Sequence, residues 1–200
     1  MHAYATDSNE RQTIPLIIAA VSVASAWLLN RALFLTGIAV PWWVDSPSVM
    51  GFYGVWYSIF EKWLWRTTLS RKLGLVRVPD LNGTWKGTAS SSYDDFSTPH
   101  QVTGRIQQHW SRVSVTLESA ESKSESRTAT IMTEASGETL LSYEYWNEPK
   151  AHATATLQPT RGTACLNVTK NHLEGQYYTG RGRQNYGNLS LDKASDNTAT

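Results

Sequence analysis

The sequence predicts a membrane-anchored all-β protein: two N-terminal transmembrane helices followed by a small antiparallel β-barrel of about eight strands. Three observations predict it. Long apolar runs fall within residues 14–65, the chain beyond residue 80 turns to Ser, Thr, Gly and Asn, and there the apolar spacing changes from helical to alternating. The expected organisation is a cytoplasmic N-terminus over 1–13, a two-helix transmembrane hairpin over 14–65, a basic linker over 66–79, a cytoplasmic barrel over 80–192 and a disordered tail over 193–200.

The first run, "IPLIIAAVSVASAWLLNRALFL" from Ile14 to Leu35, admits only small Ser residues among its apolar side chains until Asn30 and Arg31. About 20 apolar residues suffice to cross a bilayer core as a helix. The second, "PSVMGFYGVWYSIFEKWLW" from Pro47 to Trp65, is shorter before Glu61 and Lys62, and its Trp and Tyr rings suit the membrane interface. Residues 36–46 between them hold no Lys or Arg, whereas Arg66, Arg71, Lys72 and Arg77 follow the second run. The positive-inside rule therefore puts both termini in the cytoplasm and the Trp42-Trp43 turn on the far side. Arg31 snorkels or pairs with Asp45. Glu61 and Lys62 point about 100° apart on a helix and read as headgroup-level charges. Asp7, Glu10, Trp27 and the second run argue against a cleaved secretory signal ending at Ala24-Ser25-Ala26.

After residue 80 each apolar set reads as a strand face. Leu81, Gly83, Trp85 and Gly87 share one face, Val113, Val115 and Leu117 another, and Leu141, Tyr143, Tyr145 and Asn147 a third. Turn chemistry at Asp94-Asp95, Ser136-Gly137, 147–150, 159–162, 169–171 and 180–184 separates them. Strands are expected near 81–93, 100–109, 112–119, 126–134, 138–146, 152–158, 163–169 and 172–191, the last split at its glycines. That spacing is the mark of an antiparallel barrel or sandwich. Trp85, flanked by Gly83 and Gly87, is expected to plug one end.

An eight-stranded barrel encloses a core or one small ligand. Alternation turns Gln108, Tyr143, Tyr145, Asn147, Tyr177 and Thr179 inward beside Trp85, Ile106 and Leu157. Polar groups buried without partners cost about 1–3 kcal/mol each on protein mutational scales, so a polar ligand or trapped water is expected inside.

Composition narrows the function classes. A net charge of +1 gives no bulk attraction to a DNA or RNA polymer, and no partner of that kind is expected. The single cysteine, Cys165, excludes an internal disulfide and a Cys-based zinc cluster. His100, His109, His152 and His172 lack a paired ligand spacing, and no Gly-x-Ser-x-Gly element occurs. Neither an enzyme nor a metal or cofactor site is expected. "GRGRQNYG" has neither the spacing nor the setting of a nucleotide phosphate loop.

The two-helix hairpin, then "PDLNGTWKG" at 79–87, "YEYWNEP" at 143–149 and "GQYYTGR" at 175–181, resembles the two-transmembrane β-barrel effectors of bacterial CBASS anti-phage systems, the CD-NTase-associated transmembrane β-barrel effectors. The resemblance covers nearly the whole chain. It implies an inner-membrane protein whose cytoplasmic barrel binds a cyclic dinucleotide made by a cGAS-like nucleotidyltransferase, then self-associates and disrupts the bilayer in abortive infection. Small residues such as Ala19, Ala20, Ser22, Ala24, Ser25 and Gly54 would let helices of neighbouring copies approach closely.

A cyclic dinucleotide presents two stacking faces, two phosphates and ribose hydroxyls. Under that resemblance Tyr177 and Tyr145 are the stacking candidates and Arg181 the phosphate ligand, with Thr179, Gln108 and Asn147 as polar readers and Arg105 and Tyr93 in reserve. Two alternatives stay open at this stage. The tyrosines pack a core and "GRGR" is a solvated hairpin, or the barrel is a membrane-anchored lipocalin-like binder of a small apolar ligand.

Overall fold

The computed structural model describes residues 1–37, 41, 45–133, 138–154, 157–181 and 183–194. The expected Trp42-Trp43 and Ser136-Gly137 turns, Gly182, the Asp45 side chain and the tail from Ser195 lie outside them. The chain forms two compact units, Ser8–Arg77 and a second made of Met1–Asp7 with Val78–Thr200.

In the helical unit, α1 (Glu10–Leu35) has 26 residues, or about 39 Å at 1.5 Å per residue, which exceeds the ~30 Å of a bilayer core. Its buried residues, Glu10, Ile14, Ile18, Ser22 and Ala26, recur every fourth position and form one stripe. Outside that stripe Leu16, Val23, Trp27, Leu28, Phe34 and Leu35 are exposed. Among the described residues α1 is the one helix long and apolar enough to cross a membrane. It packs with α2 (Asp45–Lys62), where Trp56 Nε1 donates to Ser25 Oγ at 3.1 Å. A short turn at Leu64–Arg66 leads to α3 (Thr68–Lys72), capped by the Thr67 hydroxyl, which accepts from the Ser70 N–H. Glu10 closes this unit by accepting from the Arg77 N–H at 2.9 Å.

The second unit is an antiparallel eight-stranded barrel. Its strands are β3 (Gly83–Ser91), β4 (His100–Gln108), β5 (Arg112–Glu118), β6 (Ser122–Met132), β7 (Thr139–Pro149), β8 (Thr160–Thr169), β9 (His172–Thr179) and β10 (Tyr186–Lys193). Neighbours in sequence pair with each other, β10 returns to β3, and β5 meets β6 to close the ring. The sheet thereby loses its open edges.

Two features differ from the sequence expectation. The strand expected over 152–158 is not formed: Ala151–Ala153 is a 3-10 turn that buries Ala153, residues 155–156 lie outside the described set, and Leu157 is a buried non-strand residue. Pairing resumes at Thr160, earlier than the expected 163, because β8 runs opposite β7 from Thr139 as far as Asn147. Conversely, the N-terminus adds two short strands, β1 (His2–Ala3) on β5 and β2 (Ala5–Thr6) parallel to β6. β5 and β6 pair directly only over residues 116–118 and 123–125; lower down, the N-terminal strands sit between them.

The inward side chains divide the lumen by height. At the end holding the first residues of β3, Trp85, Ile106, Val113, Leu141, Leu173 and Leu191 are buried almost completely. Trp85 Nε1 donates to the Leu81 carbonyl at 3.0 Å, which satisfies the one polar atom of this plug. Toward the other end the same inward rows become Ser91, Ser124, Tyr143, Tyr145, Asn147, Thr160, Tyr177 and Thr179.

Candidate ligand cavity in the barrel

The polar end of the lumen holds a cavity of about 560 Å³. That lies within the ~300–1,000 Å³ range of small-molecule sites. Strand parity places its walls. Tyr143, Tyr145 and Asn147 come from β7, Thr160 and Ala164 from β8, Tyr177 and Thr179 from β9, and Leu189 from β10. The connections over residues 92–99, 119–121 and 180–185 supply the mouth with Tyr93, Asp94, Glu121, Arg183 and Asn185.

Two glycines keep the space open. Gly162 lies opposite Tyr145 and Gly187 opposite Tyr177 in the strand register. A Cβ at Gly162 would collide with the Tyr145 ring, and one at Gly187 with the Tyr177 ring and the Ser90 carbonyl. Lacking that atom, each glycine lets the neighbouring ring lie against the wall instead of filling the lumen. The Tyr145 hydroxyl then donates to the Tyr178 carbonyl at 3.3 Å and the Tyr177 hydroxyl to the Ser90 carbonyl at 3.3 Å.

Two further hydroxyls of the wall have no partner among the described residues. Tyr143 and Thr160 are 3% and 5% exposed, and neither hydroxyl makes a hydrogen bond. Burial first, and then the neighbouring Tyr145, push the Tyr143 phenol well above its usual range. Burial and Tyr177 do the same to Tyr145, partly opposed by Arg183. Both phenols therefore stay protonated at physiological pH; the Tyr143 O–H remains available as a donor, while that of Tyr145 goes to the Tyr178 carbonyl.

Five of the eight residues singled out from sequence line this cavity: Tyr93, Tyr145, Asn147, Tyr177 and Thr179. Three do not. Arg105 has the opposite parity on β4 to the buried Gly104 and Ile106 and points outward. Gln108 does point inward, but at the closed end, where its side-chain oxygen accepts from the Leu81 N–H at 2.8 Å and its amide donates to the Pro79 carbonyl at 3.1 Å. Arg181 is exposed in the β9–β10 turn and does not reach the wall. Arg183, two residues on, does, with its guanidinium 5.9 Å from the Tyr93 ring centre. Among the described residues it is the one lysine or arginine lining the cavity. Thr179 organises this turn: its N–H and hydroxyl donate to the Asn185 carbonyl, and its oxygen accepts from the Asn185 N–H at 2.8 Å.

Sequence reasoning passed over Arg183, Tyr143, Thr160 and Asp94 as contacts. Parity alone marks Tyr143 as inward, but the missing partner of its hydroxyl is visible only in three dimensions. No group of three or more His, Cys, Asp or Glu side chains able to hold a metal ion occurs among the described residues.

Comparison with known proteins matches both units to family models. Residues 76–193 match the family described as "Cap15, cyclic dinucleotide receptor domain" and residues 12–66 match "Cap15, TM helices". A CD-NTase-associated protein 15 from Staphylococcus schleiferi is 32% identical over 152 residues, covering 76% of this chain and 80% of that protein. One of the same name from Yersinia aleksiciae is 28% identical over 149 residues, covering 73% of this chain and 69% of that protein. A polar, aromatic-walled cavity in a closed barrel suits the first description, and an exposed apolar helix suits the second. The chain belongs to the Cap15 family of cyclic dinucleotide receptors carried on transmembrane helices.

Proposed function

We propose that this protein is the membrane effector of a CBASS anti-phage system, in which a cyclic dinucleotide from a cGAS-like nucleotidyltransferase enters the barrel cavity and drives self-association and disruption of the inner membrane. The observation that carries the reading is the cavity wall, where tyrosine rings held flat by glycines stand beside two hydroxyls without partners and one arginine. Base-aromatic stacking contributes about 1–3 kcal/mol per base, which assigns Tyr145 and Tyr177 to the bases. Arg183 takes a phosphate in place of the Arg181 expected from sequence. Tyr143, Asn147, Thr160 and Thr179 meet ribose, phosphate or base-edge atoms. An apolar ligand would leave the Tyr143 and Thr160 hydroxyls unpaired at a cost of about 1–3 kcal/mol each, which disfavours the lipocalin-like alternative.

The finer membrane reading is a pair of spans, α1 and α2, with both the N-terminus and the barrel in the cytoplasm. The basic residues after α2 and their absence from residues 36–46 support this orientation. Ligand acts by binding the assembled state more tightly than the dispersed one, because equal affinity for both would shift nothing.

Reconstitution in dye-filled liposomes tests the function as a whole. The full chain is expected to release dye on addition of a cyclic dinucleotide and not before, and a Tyr177→Ala variant to require much more ligand. Release that ignores every cyclic dinucleotide bound by the protein would sink the effector reading while leaving the receptor intact.

A further inference from the structure

We propose that Asp94 reads a guanine base, so that the ligand of this barrel is a guanine-containing cyclic dinucleotide; this rests on the receptor reading above and specifies its ligand. Asp94 ends the short 3-10 turn Ser92–Asp94 that leaves β3, and it lines the cavity. Both of its carboxylate oxygens are shielded from solvent, and neither makes a hydrogen bond. His100 Nε2 stands 3.4 Å from Oδ2, beyond the ~2.7–3.2 Å of a good N–H···O bond. An ionised carboxylate is an acceptor with two oxygens and no proton to give, and shielding it without donors is costly.

The turn is held where it is. Asp95 and Phe96 are consecutive non-glycine residues in the left-handed region, at φ 50° and 60°. Such conformations persist when surrounding contacts enforce them. Here the Phe96 N–H donates to the Ser91 carbonyl at 2.9 Å, and the Phe96 and Tyr186 rings meet at 5.7 Å. The Tyr186 N–H donates to Ser92 Oγ at 3.1 Å, which ties the turn to the start of the neighbouring strand β10. Local strain thus fixes a carboxylate that accepts no hydrogen bond among the described residues and has only the His100 ring, at 3.4 Å, as an ion-pair neighbour.

Ligand chemistry narrows what that carboxylate meets. A cyclic dinucleotide is doubly anionic, so its phosphates belong with Arg183 and the hydroxyl donors, away from Asp94 and Glu121. The bases remain. Guanine presents two adjacent donors on its Watson–Crick edge, the N1–H and the N2 amino group, which match two carboxylate oxygens. Adenine and cytosine set one amino donor beside a ring acceptor, and uracil sets one N–H between two carbonyls. Those three would aim a lone pair at Asp94. The oxygens are shielded from solvent, so binding includes a turn of the Asp94 side chain, an ordinary rotamer change.

The test is equilibrium titration of the full chain in detergent with cyclic di-GMP, cyclic GMP-AMP, cyclic di-AMP and cyclic di-UMP, for the wild type and Asp94→Asn. Expected is tightest binding of a guanine-containing member, with a loss of roughly 10- to 100-fold for that member in Asp94→Asn and little change for the others. Asp94→Glu, which keeps both acceptors, is expected to retain the guanine preference, and it serves as the readout if the Asn variant fails to fold. Tightest binding of a ligand without guanine overturns the proposal. So does an equal loss for all four ligands, which would put Asp94 on a ribose hydroxyl instead. If no cyclic dinucleotide binds the folded wild type, the receptor reading falls and this proposal with it; binding without base preference sinks the proposal alone.

Discussion

At Tyr143 the ligand-free protein leaves a buried hydroxyl unpaired, and substitution there separates stability from binding. Tyr143→Phe removes a group that makes no hydrogen bond, so the melting temperature is expected to hold or rise slightly. Ligand affinity is expected to fall by roughly 5- to 20-fold, as one donor to the ligand is lost. A variant that melts several degrees lower with unchanged affinity would make Tyr143 a packing residue. Gly187→Ala makes the opposite test. Its Cβ has no room between the Ser90 carbonyl and the Tyr177 ring, so destabilisation of about 1–3 kcal/mol is expected, read as a lower unfolding midpoint in denaturant. At this scale, alternation was enough to turn Tyr145, Asn147, Tyr177 and Thr179 inward, because strand parity is a local property. It carried no information on height along the barrel, which is why Gln108, inward at the closed end, looked equivalent to Asn147. Parity also lapses in turns, where Arg181 and Arg183 are indistinguishable from sequence.

The element least legible in the sequence is the β5–β6 seam. Two-residue strands are shorter than any periodic window, so Met1–Asp7 read as a plain N-terminal extension. β6 was expected from 126 because its earlier inward residues are Ser122 and Ser124, which give no apolar signal, and because the register shifts between Ser126 and Thr128. That bulge moves the buried set from Ser124 and Ser126 to Ala129 and Ile131, breaking the alternation. Ser126 then bonds across the seam. Its Oγ accepts from the Val115 N–H at 2.9 Å and lies 2.7 Å from His2 Nε2. Ser126→Ala is expected to leave the buried Val115 N–H unsatisfied and to cost about 1–3 kcal/mol. Amide exchange at Val115 is the direct readout, and unchanged protection there would mean that the seam is held by other contacts. α1 poses less difficulty, since the long, mostly apolar stretch from Ile14 to Leu35 is legible from length and hydropathy alone.

For the whole molecule, the single cysteine makes the proposed orientation measurable. Cys165 is a free thiol on the outer face of β8. A maleimide that cannot cross the inner membrane is expected to label it only after that membrane is permeabilised; labelling in cells with an intact inner membrane would place the barrel on the other side. The central claim is that a cyclic dinucleotide is held by the tyrosine wall and by Arg183. Calorimetric titration of the full chain with the cyclic dinucleotide it binds best, alongside Arg183→Ala and Arg181→Ala, tests it most directly. The account predicts a loss of 10-fold or more in Arg183→Ala, as expected for a charge-assisted contact of about 1.5–3 kcal/mol, and near wild-type binding in Arg181→Ala. Full binding by Arg183→Ala, or no binding of any cyclic dinucleotide by the folded wild type, would contradict it.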